Sequence, residues 1–158
     1  ESAEKVKNRY AEETVNLYYA DEKKITLLTS HNIHRPTFFY VWSLDDNKND
    51  TRENLIKISK YFKIFRKRGL KVITICICKE LDKDKVKTVL ERSQLSSFNY
   101  YTYPTEVKNL IKLRPEEGKT ITPFGRLVRI NGRKGYSTNG QIDDKEIRIH
   151  FLNSLNEK

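Results

Sequence analysis

A chain of 158 residues with 37% hydrophobic and 33% charged side chains suits one domain with a core large enough to need no disulfide or metal staple. No stretch approaches the ~18 to 20 apolar residues of a membrane span, so a membrane-spanning chain is excluded and a soluble domain expected. The net charge of +10 favours acidic partners such as nucleic acid, anionic lipid or an acidic protein, but a lysine-heavy excess also follows from composition alone and names none of them.

Residues 1–13 read as a charged arm or short helix, and residues 14–158 as the domain. Thr14-Val-Asn-Leu-Tyr-Tyr19 alternates as a strand, residues 20–23 turn, and Lys24-Ile-Thr-Leu-Leu28 returns, which predicts a hairpin. A polar loop over 29–35 ends at Pro36. Thr37-Phe-Phe-Tyr-Val-Trp-Ser43 is a continuous apolar run, the pattern of a central strand buried on both faces. After a polar loop over 44–50 comes a long helix. Asp50 is its expected N-cap, with Glu53 three residues on as in a capping box. Leu55, Ile58, Phe62 and Phe65 share one helical face, and Gly69 stands at the C′ position.

Residues 70–78 form a second apolar run, so strand, helix and strand predict parallel pairing through a right-handed crossover. Asp82 or Asp84 opens another helix with Val86, Val89 and Leu90 inward. Residues 98–103 are strand-like, and 105–113 form a short helix cut off by Pro115. Residues 126–130 and 135–138 make a hairpin about Asn131-Gly132. A final helix spans 143–156 with Ile147, Phe151 and Leu155 spaced by four.

This order is similar to the thioredoxin layout, and in particular resembles the TlpA/ResA branch, related to the peroxiredoxins (AhpC/TSA). The resemblance rests on Asp21-Glu-Lys-Lys24 at the hairpin turn, Tyr40-Val-Trp-Ser43 at the strand end, and Arg66-Lys-Arg-Gly69 at the helix end. It also rests on Ile121-Thr-Pro123 nine residues before Gly132, and on Tyr136-Ser-Thr-Asn-Gly140 before the last helix. It implies an α/β thioredoxin-like fold: a central mixed sheet flanked by helices, with an N-terminal β-hairpin extension. It further implies a cis Thr122-Pro123 bond beside the active-site corner, where family members pair their backbone with extended substrate peptide.

The chain departs from the family at the chemistry. The two family cysteines would fall near Asp46 and Asn49, and the loop holds none. In the family a helix N-terminus lowers the thiol pKa. Here Asp45, Asp46 and Asp50 make the corner negative, the wrong field for a thiolate. Trp42, Asp46, Asn47, Asn49, Thr122 and Pro123 therefore mark a degenerate active-site region.

The two cysteines, Cys76 and Cys78, lie in the second apolar run on one strand face. Their Cα atoms are expected roughly 6.5 to 7 Å apart, at the edge of disulfide reach. They read as small buried side chains, with a relocated redox pair as the alternative. Two thiols fall short of a four-ligand zinc site, and nothing places His31, His34 or His150 beside them, so no metal or cofactor is expected. Lys57, Lys60, Lys63, Arg66 and Lys67 form a basic helix face, either solvated or a binding patch. Phe98, Tyr100, Tyr101 and Tyr103 lack the interleaved Lys or Arg of an RNA-stacking platform.

The function expected is a redox-inactive thioredoxin-fold module that binds a protein partner, as adaptor, chaperone-like factor or complex subunit. The alternatives are a divergent thiol-disulfide oxidoreductase using Cys76 and Cys78, and a basic module bound to nucleic acid or the ribosome. The sequence begins at Glu1 without any methionine; read as a processed product with relatives of this branch, it is expected in an extracytoplasmic space or organelle lumen.

Overall fold

The computed structural model describes residues 14–18, 24–28, 35–79, 82–92, 98–103, 122–129 and 134–156. The expected N-terminal arm, the 105–113 helix and the Asn131-Gly132 turn lie outside them, as do the side chains of residues 98–101.

The described strands are β1 (Thr14–Tyr18), β2 (Lys24–Leu28), β3 (Thr37–Ser43), β4 (Lys71–Ile77), β5 (Phe98–Thr102), β6 (Phe124–Val128) and β7 (Lys134–Asn139). They form one sheet in the order β2-β1-β5-β4-β3-β6-β7. β3, β4 and β5 are parallel neighbours, while the β1–β2 hairpin, the β1–β5 junction and the β6–β7 pair are antiparallel. The apolar run of β3 makes it central. It pairs in parallel with β4 from Thr37↔Lys71 to Ser43↔Ile77 and antiparallel with β6 from Thr37↔Val128 to Val41↔Phe124. The N-terminal hairpin and mixed sheet are those expected.

Alternation along β3 divides its bulk between two faces. Phe38, Tyr40 and Trp42 join Leu55, Ile58, Tyr61, Phe65, Cys76, Ile147 and Phe151 in the main core. Phe39, Val41, Ile73, Ile75, Phe124 and Val128 are buried as well, outside that cluster. Helices α1 (Lys48–Phe65), α2 (Lys83–Arg92) and α3 (Asp144–Leu155) complete the described elements; α1 is the β3–β4 crossover. Among the described residues no helix is long and apolar enough to cross a membrane.

Three local expectations change. Asn47, not Asp50, caps α1: its Oδ1 accepts the backbone N–H groups of Asn49 at 3.0 Å and Asp50 at 3.1 Å. A side-chain amide oxygen there satisfies two otherwise orphaned donors. Asp50 sits inside the first turn, where the dipole favours a carboxylate, and accepts from Gln141 Nε2 at 2.8 Å. The inward face of α1 is also rotated, so that Tyr61 is buried while Phe62 packs only at the margin. Tyr61 gains from this because its hydroxyl donates to Asp144 Oδ2 at 2.6 Å. Finally, the terminal hairpin begins at Phe124, two residues early, because buried Phe124 pairs with both Val41 and Asn139.

The ends of the helices follow local chemistry. α1 tightens into a 3-10 turn over Arg66–Arg68, then stops at Gly69, whose φ of 106° lies in the left-handed region. Asp143 caps α3, its side chain accepting from Glu146 N at 2.9 Å. Phe151 of α3 meets Phe38 edge to face, with centroids 5.1 Å apart.

Candidate functional site

The corner lies where β3 ends and α1 begins. Asp46 organises it. Its backbone N–H donates to Ser43 O at 3.1 Å, and its Oδ2 accepts from Ser43 N at 2.7 Å, a local turn of the kind Asp favours. Its other oxygen, Oδ1, accepts the Thr122 hydroxyl proton at 2.7 Å, linking positions 76 residues apart. Charge-assisted bonds this short are among the stronger kinds. The Thr122-Pro123 peptide is cis, as the resemblance implied, and Pro123 O accepts from Gly140 N at 3.0 Å.

Asp46, Asn47, Asn49, Thr122 and Pro123 are thus assembled at one corner, from segments far apart in sequence. Asn47 is spent on capping, and Asn49 is exposed with its backbone N–H on Asn47. Trp42 is 1% exposed and belongs to the core beneath, not to a binding platform. Asp45 and Asp46 contribute carboxylates on the loop and Asp50 another in the first turn of α1, so the corner offers acceptors and negative charge.

The cysteines lie directly under this corner. Cys76 stands in register with Trp42 on the adjacent strand, and both thiols are free and buried. Burial, the contact with Cys78 and the nearby Asp46 charge push the Cys76 thiol far up, against a hydrogen bond from the Leu44 backbone. Cys78 is held lower because the Cys76 thiol hydrogen-bonds to it, with burial and Asp82 opposing. Its backbone N–H is tied to Thr102 O at 3.0 Å. Among the described residues no three His, Cys, Asp or Glu side chains group to hold a metal ion.

The basic face is smaller than expected. Lys57 is half-buried and donates to Ile142 O at 2.9 Å, which removes it from the solvated patch. Lys60, Lys63, Arg66 and Lys67 are exposed.

One structural determinant escaped the sequence reading. Asn54 is fully buried. Its Nδ2 donates to Tyr40 Oη at 3.1 Å and to Gly140 O at 2.9 Å, and its Oδ1 accepts from Ile142 N at 2.9 Å. It pins β3, α1 and the segment entering α3 in one network. The signal was an amide on the inward arc of α1, beside Leu55 and four residues before Ile58.

Burial holds the Tyr40 hydroxyl proton well above the ordinary phenol range; Asp46, Asp50 and Cys76 reinforce this and the Asn54 bond opposes it. Below about pH 10 both folded and unfolded chains keep this proton, so Tyr40 adds no pH dependence. Above it the unfolded chain releases the proton first, and each further pH unit costs the fold about 1.4 kcal/mol. Urea midpoints are therefore expected to fall from pH 10 to 11.5, and to fall less steeply in Tyr40→Phe. Equal slopes in the two proteins would remove Tyr40 as the cause.

No protein-family model matches the sequence, and no curated protein matches it. Solved structures do match. A thiol:disulfide interchange protein of the thioredoxin family from Chlorobium tepidum TLS superposes with a TM-score of 0.72 at 11% identity, over 90% of this chain and 94% of that one. A thioredoxin-like protein from Porphyromonas gingivalis gives 0.69 at 16% identity, over 90% of each chain. A secreted Mycobacterium tuberculosis disulfide oxidoreductase homologous to E. coli DsbE gives 0.66 at 8% identity, over 90% and 98%. At such identities the likeness shows the fold, which is thioredoxin-like.

Proposed function

We propose that this domain is a thioredoxin-fold protein-binding module that does no dithiol chemistry at the fold's usual corner. One observation carries the reading: Asp46 takes the loop position expected of a cysteine and spends both carboxylate oxygens on Ser43 and Thr122. A carboxylate so engaged stabilises the loop, and it cannot exchange a disulfide. The loop holds no thiol, and its charge opposes a thiolate brought near it. What the corner retains is the cis Thr122–Pro123 edge, tied to Asp46 through the Thr122 hydroxyl and suited to an extended peptide.

A second reading, a divergent thiol-disulfide oxidoreductase, is favoured by the Cys76 hydrogen bond that lowers the Cys78 thiol. One experiment separates the two. Turnover of a protein disulfide with dithiothreitol as reductant is measured for the wild type and for Cys76→Ser/Cys78→Ser. The binding-module reading expects both to match dithiothreitol alone, because the thiols are 0% and 5% exposed. Turnover tenfold above that background, lost in the double variant, would establish the oxidoreductase instead.

A further inference from the structure

α1 carries two faces, and the fold uses one. The outer one contains Ile56, Lys60, Lys63 and Ile64, at i, i+4, i+7 and i+8, the spacing of a single helical stripe, with Lys67 following in the 3-10 turn. Ile56 is 47% and Ile64 55% exposed. Between Asn54 and Arg68 the sequence has six basic side chains and no acidic one. Among the described residues no carboxylate is ion-paired with these lysines, whereas Lys85 of α2 pairs with Asp82, just before that helix, at 3.5 Å. Lys60 rests over the Tyr61 ring at 5.1 Å.

Helix electrostatics account for part of this. Cations near a helix C-terminus are favoured by the dipole, but only within the last turn. That covers Lys63 in the last turn of α1, and Arg66 and Lys67 in the 3-10 turn that follows it. It leaves Lys60, a turn further back, and the two isoleucines unexplained.

We infer that this outer face of α1 is a docking surface for an acidic amphipathic segment of a protein partner. Charge and chemistry select that occupant. Two aliphatic side chains about 12 Å apart along the axis offer nothing to phosphates, and the face has neither the aromatics nor the Arg forks of nucleic-acid recognition. A bilayer would have to accept a lysine, Lys60, one turn from each isoleucine on the same stripe, whereas a protein carboxylate can pair with it. A second copy of a chain of charge +10 is repelled. The surface is separate from the Asp46–Thr122 corner but rests on the reading of the domain as a protein-binding module.

The test uses a displayed library of random 16-residue peptides selected on the wild-type protein, with synthetic peptides of the enriched sequences measured by titration. Acidic peptides with apolar residues at three-to-four spacing are expected. Their affinity should fall at least tenfold in Lys60→Glu/Lys63→Glu and tenfold in Ile56→Ser/Ile64→Ser, which keeps the charge. Unchanged urea midpoints confirm that both variants are folded. Peptides that ignore both variants but weaken with Asp46→Ala would overturn this surface and leave the binding-module reading standing. Failure to enrich any peptide would overturn both. Binding to phosphatidylserine vesicles or heparin that depends on the lysines but not the isoleucines would replace the protein partner with a phosphate-bearing one. Disulfide turnover, measured separately, bears on the corner alone.

Discussion

Replacing Asn54 by leucine is expected to remove about 4 kcal/mol of stability and lower the Tm by roughly 10 °C. Three partners lose their mate at once: the Tyr40 hydroxyl, Gly140 O and Ile142 N. The site is fully buried, and leucine fills the space without offering a donor or acceptor. Each orphaned group costs about 1 to 3 kcal/mol. For a domain with a total stability of about 5 to 15 kcal/mol, that is a large fraction. The damage also reaches the candidate corner, since Gly140 N is bonded to Pro123 O. Urea unfolding with a thermal melt checks the prediction. A loss below about 1 kcal/mol would mean that the three groups find other partners, and the network would lose its assigned role.

The second large effect is expected at Gly125. A Cβ there would lie 2.4 Å from Phe38 Cζ and 3.0 Å from both Phe38 Cε1 and Thr138 Oγ1. Phe38 is fully buried and in edge contact with Phe151, so its ring has no space to yield. Gly125→Ala should therefore cost about 3 kcal/mol, at the upper end for overpacking. β6 also carries Pro123 and Thr122 into the corner, so a strand pushed off Phe38 pulls Thr122 from Asp46. The diagnostic is compensation. Phe38→Leu, destabilising alone, should recover part of the loss when combined with Gly125→Ala, a coupling that additive effects would not give. Strict additivity would place the strain elsewhere.

Much of the fold was legible because its signals are local. The seven-residue run from Thr37 can be satisfied only by burial on both faces. The apolar spacing across residues 55–65 together with Gly69 places one long helix between two such strands, and chirality then leaves one crossover. The absence of a thiol from residues 44–50 was equally plain.

What the sequence by itself determined is therefore the class of the fold and the lack of a cysteine in the loop between β3 and α1. Tertiary structure decided which polar groups meet. Asp50 was the expected cap of α1, yet Asn47 takes that place and Asp50, one turn in, accepts from Gln141, 91 residues away. Asp46 found Thr122, Asn54 found Gly140 and Ile142, and Lys57 found Ile142 O across comparable distances. Hydrophobic periodicity is written along one helix or strand and can be read there. A hydrogen bond between remote segments depends on ångström-level placement that exists only once the sheet and helices have packed.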